Sequence, residues 1–182
     1  AGKTKTLFII GIDRDKCVIK NSYGDYYKAP IHIASGLLRN LTIIEESYSR
    51  PPGVSNSSYA VHVDFHPLYN STLRIENCTL RSNMPNSGAI GIGLRGGGVL
   101  TIEGCTLISG STGRAIYAHD NNYPGYNGEQ WLKVIDCIID SPDQAILIQG
   151  QGKNGVRTFE ESQYYIEFIR NRIKGTSQFV NW

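Results

Sequence analysis

One short pattern is written several times over in this chain, and that repetition limits the fold more than any other feature. The clearest copy runs from Ala89 to Gly110, AIGIGLRGGGVLTIEGCTLISG. Read by twos, Ile90 and Ile92 share one side of a strand, and Gly91 and Gly93 share the other. Beyond a glycine-rich bend, Leu100 and Ile102 point inward while Thr101 and Glu103 point outward. Gly104 interrupts the alternation, which Cys105 and Leu107 resume around Thr106. Three short runs of period-two patterning, separated by turn residues, specify three strands.

The second and third strands recur as LRIENCTL (73–80), LTIEGCTL (100–107), LKVIDCII (132–139) and, more loosely, IEFIRNRI (166–173) and LLRNLTI (37–43). The first strand recurs as APIHI (29–33), YAVHV (59–63), GAIGI (88–92), RAIYA (114–118) and QAILI (144–148). Equivalent positions 31, 61, 90, 116 and 146 are spaced by 30, 29, 26 and 30 residues. A repeat whose length drifts while its strands hold register is a solenoid with variable loops. No helical segment separates the strands, so the expected form is a parallel β-helix. Each strand then pairs with its counterpart in the next coil, about 4.8 Å away.

The opening IIGIDRDKCVIKNS (9–22), the NLTI at 40–43 and the repeated strands resemble the early coils of the pectate-lyase-like superfamily. That group includes polysaccharide lyases, pectin methylesterases, polygalacturonases and many phage tailspikes. The resemblance implies an all-β, right-handed, single-stranded parallel β-helix of about six coils over residues 1–182. Members usually cover the first coil with an amphipathic helix, and nothing before Leu7 has that pattern. An uncovered coil end leaves unpaired strand edges. The expectation is therefore a module of a longer chain, extracellular or on a virion, whose coil ends meet flanking domains or the other subunits of a trimer.

A net charge of +2, with basic residues scattered along the sequence, gives no reason to expect nucleic acid as a partner. No apolar run approaches the length of a membrane span. Cys17, Cys78, Cys105 and Cys137 each follow the short turn between second and third strands, where Leu41 and Asn171 stand in other copies. A position that accepts Cys or Leu faces inward, so free buried thiols are expected rather than disulfides. No CxxC or Cys/His spacing marks a metal site, and no cofactor is expected. Asn40, Asn77, Gly104 and Asp136 hold the turn itself, and these residue types tolerate the left-handed backbone of a one-residue corner.

In the superfamily this chain resembles, the saccharide cleft lies on the outer face of the first-strand sheet. Two outward columns follow from the repeat. One reads His32, His62, Gly91, Tyr117, Leu147, and the other reads Ala34, Asp64, Gly93, His119, Gln149. Gly91 and Gly93 are expected to leave a dip between the Asp64 coil and the His119 coil. The expected ligand is a polysaccharide or cell-surface glycan, held by His62, Arg95, Tyr117 and Gln149 and walled by the loop carrying Tyr123, Tyr126 and Trp131. Long loops on a rigid scaffold commonly carry such function.

An alternative is a polysaccharide lyase or hydrolase working in the same groove, with Asp64, His119 and Asp120 as catalytic groups. Asp64 and His119 stand two coils apart, about 9–10 Å, near the wide end of the carboxylate spacing of inverting glycosidases. The paired aspartates of polygalacturonases and the Gln-Asp pairing of pectin methylesterases have no counterpart here. A third reading is a spacer or adhesin stalk without a ligand.

Overall fold

The computed structural model describes residues 6–21, 29–46, 58–65, 71–94, 97–120, 129–149 and 163–180. Its strands, numbered in chain order, lie on three faces. Face A carries β1 (Leu7–Ile10), β4 (Gly36–Arg39), β7 (Ser71–Glu76), β10 (Gly98–Glu103), β13 (Glu129–Ile135) and β15 (Gln163–Ile169), hydrogen-bonded in that order. Face B carries β2 (Val18–Asn21), β5 (Thr42–Glu45), β8 (Thr79–Ser82), β11 (Thr106–Ile108) and the first part of β14 (Ile138–Gln149). On face C lie β3 (Ile31–Ile33), β6 (Tyr59–Asp64), β9 (Gly88–Leu94), β12 (Arg114–Asp120) and the second part of β14. A last strand, β16 (Arg172–Val180), follows β14 around the corner from face B to face C, where the register shifts between Asp140 and Ile146.

Every pairing is parallel and joins equivalent positions of successive copies, so the chain is an all-β parallel solenoid. Face A is six strands deep, and its middle four have a neighbour on both sides. The inward columns are the apolar ones read from the repeat. Leu73, Leu100 and Leu132 are stacked in register, as are Ile75, Ile102 and Val134, and Val61, Ile90, Ile116 and Ile146. All ten are buried. Each contributes about 1.5–3 kcal/mol of burial. At the edge of the stack the pattern relaxes: Leu7, Phe8, Ile10, Ile12 and Val18 in the first coil are exposed.

The corner between faces A and B is the most regular part of the molecule. Asn40, Asn77, Gly104, Asp136 and Arg170 occupy it with φ of 54°, 48°, 62°, 52° and 52°. Cys78, Cys105 and Cys137 follow as free, buried thiols. The Cys78 amide donates to Cys105 Sγ at 3.3 Å, and the Cys105 amide to Cys137 Sγ at 3.4 Å. In the last coil Asn171 takes over: its Oδ1 accepts from the Cys137 amide and its Nδ2 donates to the Val134 carbonyl, both at 2.8 Å. Cys17 continues the inward column at the edge of the stack, packed against the core, with its carbonyl accepting from the Thr42 amide as those of Leu41 and Cys78 accept from Thr79 and Thr106. Its turn contains extra residues after Gly11, closed by the Cys17 amide on the Asp13 carbonyl, and its thiol is only half-buried.

Candidate functional site

Face C is where the outward chemistry changes from coil to coil. The register pairs His32 with His62, His62 with Gly91, Gly91 with Tyr117, and Tyr117 with Leu147. The second column pairs Asp64 with Gly93, Gly93 with His119, and His119 with Gln149. The first column and the second from Asp64 onward therefore run in the register the repeat spacing predicts.

The dip expected at Gly91 is not open. Tyr59, at the start of β6, lays its ring across the next coil, and a Cβ on Gly91 would run into that ring. Gly88 lies under the same ring. The two glycines thus make a bed for one tyrosine, which is itself buried. Leu147, read as an outward position, is buried as well.

Tyr59 converts a broken column into a continuous aromatic stripe. The His32 and His62 rings are stacked, with centroids 4.8 Å apart and planes 13° from parallel. His62 lies 5.9 Å from Tyr59, Tyr59 lies 6.2 Å from Tyr117, and Tyr117 lies 5.0 Å from His119. The Arg114 guanidinium covers the Tyr117 ring at 5.1 Å and donates through Nε to Gln144 Oε1 at 2.7 Å. Burial pushes the Tyr117 hydroxyl above its ordinary pKa, against the nearby Arg114 charge, so it stays a neutral donor and acceptor.

At the other end of the stripe Asp64 turns toward the histidines. Its Oδ2 is 3.0 Å from His32 Nε2 and 3.8 Å from His62 Nε2. His119 stands two coils further on, against Tyr117. Asp120 pairs through its backbone with Leu94. The side chains of Asp120 and Gln149, and residues Arg95, Tyr123 and Tyr126, lie outside the described residues. Trp131 belongs to a different face. It sits in β13 on face A, stacked on its register partner Tyr165 with centroids 4.2 Å apart and Lys133 Nζ 4.8 Å above its ring.

Sequence reasoning missed Tyr59 and Arg114 as parts of the site and gave His32 no role. A signal for Tyr59 was present: a large aromatic residue in one copy stands opposite Gly88 and close to Gly91 in the next, and vacated space beside a large ring is a packing pair. Neither a family model nor a curated protein nor a solved structure matches this chain.

Proposed function

We propose that face C binds carbohydrate, with the half-buried Tyr117 ring as the platform, the buried Tyr59 ring supporting it from beside, and His62, Asp64, Arg114 and His119 as hydrogen-bonding groups around it. The observation that carries this reading is the aromatic stripe across successive coils. A sugar ring has an apolar face and a rim of hydroxyls, so its site combines aromatic surface with a few convergent polar groups. The coils repeat at about 4.8 Å, so an extended glycan chain running along the solenoid axis passes from His62 and Asp64, across the Gly91 and Gly93 coil, to Tyr117 and His119. A setting on a phage tail or cell-surface protein rests on the pectate-lyase-like resemblance alone.

A glycan array followed by calorimetry tests this. Tyr117→Ala should weaken oligosaccharide binding by about 1–3 kcal/mol, the loss expected for a central aromatic contact, with its thermal midpoint little changed. A ligand bound equally well by the parent, Tyr117→Ala and Tyr59→Ala would place the site elsewhere. Release of new sugar ends from acidic or neutral polysaccharides would make the protein an enzyme rather than a binding module.

A further inference from the structure

We infer that His32, His62 and Asp64 form a binding site for a divalent transition metal of the zinc class at one end of the face C stripe. One ligand atom from each of these residues lies within 4.8 Å of the other two. Among the described residues this is the group of His, Cys, Asp and Glu side chains that converges in this way. Two imidazoles and one carboxylate make a borderline donor set that suits zinc and its transition-metal neighbours rather than calcium or magnesium, which take oxygen ligands.

The geometry comes from the solenoid. His32 and His62 are direct register partners on β3 and β6, which fixes their rings one strand spacing apart and nearly parallel. Asp64 is two residues beyond His62 on the same strand, hence on the same side of it. Donor atoms around a tetrahedral ion at about 2.0–2.2 Å stand roughly 3.3–3.6 Å apart. The spacings from Asp64 Oδ2, 3.0 Å to His32 Nε2 and 3.8 Å to His62 Nε2, bracket that value. Because an imidazole lone pair lies in its ring plane, the two stacked rings must turn out of parallel for a nitrogen of each to point at one ion. The ion then takes the place of the hydrogen bond between Asp64 and His32.

Exposure is graded across the site. The Asp64 side chain is 18 % exposed, His62 29 % and His32 60 %. A carboxylate held against the sheet with an imidazole on its outer side leaves the solvent-facing coordination position for water or an oxygen of a bound molecule. Sequence spacing does not reveal this site, because the two histidines are thirty residues apart and meet only through coil stacking. The inference stands whether or not the neighbouring tyrosines take a sugar.

The probe is the metal alone. Zinc chloride is titrated into the chelator-treated, intact chain in competition with a chromophoric chelator, and cobalt(II) is followed by its visible absorption. One equivalent should bind, the cobalt complex should show the intense bands of a four-coordinate ion, and zinc should raise the thermal midpoint. His32→Ala and His62→Ala should each weaken binding by at least about tenfold, no less than the loss of an outer-shell partner. Asp64→Asn keeps the side-chain shape and should behave the same way, so a general loss of fold is not needed to explain the result. Cys17→Ser, which removes the half-buried thiol, should bind zinc as the parent does. The inference is overturned by the absence of one-equivalent zinc binding, by parent-like affinity in the three ligand variants, or by loss of binding in Cys17→Ser.

Discussion

The corner between faces A and B and the outer surface of face C are built from the same repeat under opposite constraints. At the corner every coil after the first turns from face A to face B at one residue, so the backbone demands the left-handed conformation at Asn40, Asn77, Gly104, Asp136 and Arg170. Cys78 and Cys105 behind it fill a fixed volume, and the amide of each donates to the sulfur of the cysteine in the next coil. Asn171 replaces the thiol only because its amide group makes equivalent bonds. On face C nothing in the backbone fixes the outward residue, and the column passes from His62 to Gly91 to Tyr117. Uniformity marks what the fold requires, and variation marks where chemistry is free to be placed.

The sharpest way to break the corner is to put a charge into it. Cys105→Asp buries a carboxylate where no cation is described, and it should cost about 4 kcal/mol or more. Thr106→Asp, one residue on and turned outward, should cost less than about 1 kcal/mol. Urea titrations of the two variants measure the contrast, and equal losses would mean that the corner is not buried. The Cys105 thiol is pushed well above its ordinary pKa by hydrogen bonding with Cys137 and Cys78 and by burial, so it should also be the slowest of the four to alkylate in the native state.

On face C the strongest test is the bed beneath Tyr59. Gly91→Ala places a methyl group against that ring, and the expected loss is about 1–3 kcal/mol, in the range of overpacked sites. In a Tyr59→Ala background the same change should cost much less. Thermal melts of the four proteins in this cycle measure the coupling. Additive losses would show that Tyr59 does not rest on Gly91.

A smaller effect separates backbone from side chain at the corner. Asn77→Ala should lose about 1–2 kcal/mol for the left-handed conformation, plus the hydrogen bond that Asn77 Nδ2 makes to Asn40 Oδ1 at 2.8 Å. Asn77→Gly keeps the conformation cheap and isolates the side-chain bonds, that one together with the bond Asn77 Oδ1 accepts from Arg14 Nη1 at 3.3 Å. If chemical denaturation finds the alanine and glycine variants equally stable, backbone strain is not what selects asparagine there.

Legibility in the sequence divided along the same line. The inward columns, the order of the faces and the residues of the corner could be read, because strand register and turn conformation each act through one residue type at one spacing. Face C could be read as two columns but not as a surface. Gly91 looked like a gap because Tyr59 reaches it diagonally from the preceding coil, and a column alignment holds no information on diagonals. Trp131 looked like a wall of that surface because it ends the loop leaving β12. Its register with Val99 and Tyr165 instead fixes it on face A. Arg170 escaped notice at the corner because a long basic residue is a poor sequence signal for the left-handed conformation.

Arg170 gives the finest test of the comparison, since there the corner departs from its own rule. Its Nε and Nη2 hold Asp136 Oδ1 and Oδ2 at 2.7 and 2.6 Å, one coil above the other. The hydrogen bonds from Arg170, with its charge, pull the Asp136 carboxyl below the usual aspartate range. A depressed folded-state pKa means a contribution that is complete above the unfolded aspartate value and is lost as pH falls through the folded one. Parent and Arg170→Gln should therefore differ in stability at neutral pH and converge in acid, by a small amount because both groups are solvent-exposed and screened by salt. Carboxyl NMR should show Asp136 titrating at higher pH in the variant. An unchanged Asp136 titration would mean that the pair is a surface contact without energetic weight, leaving the left-handed turn and the thiol ladder to hold the corner alone.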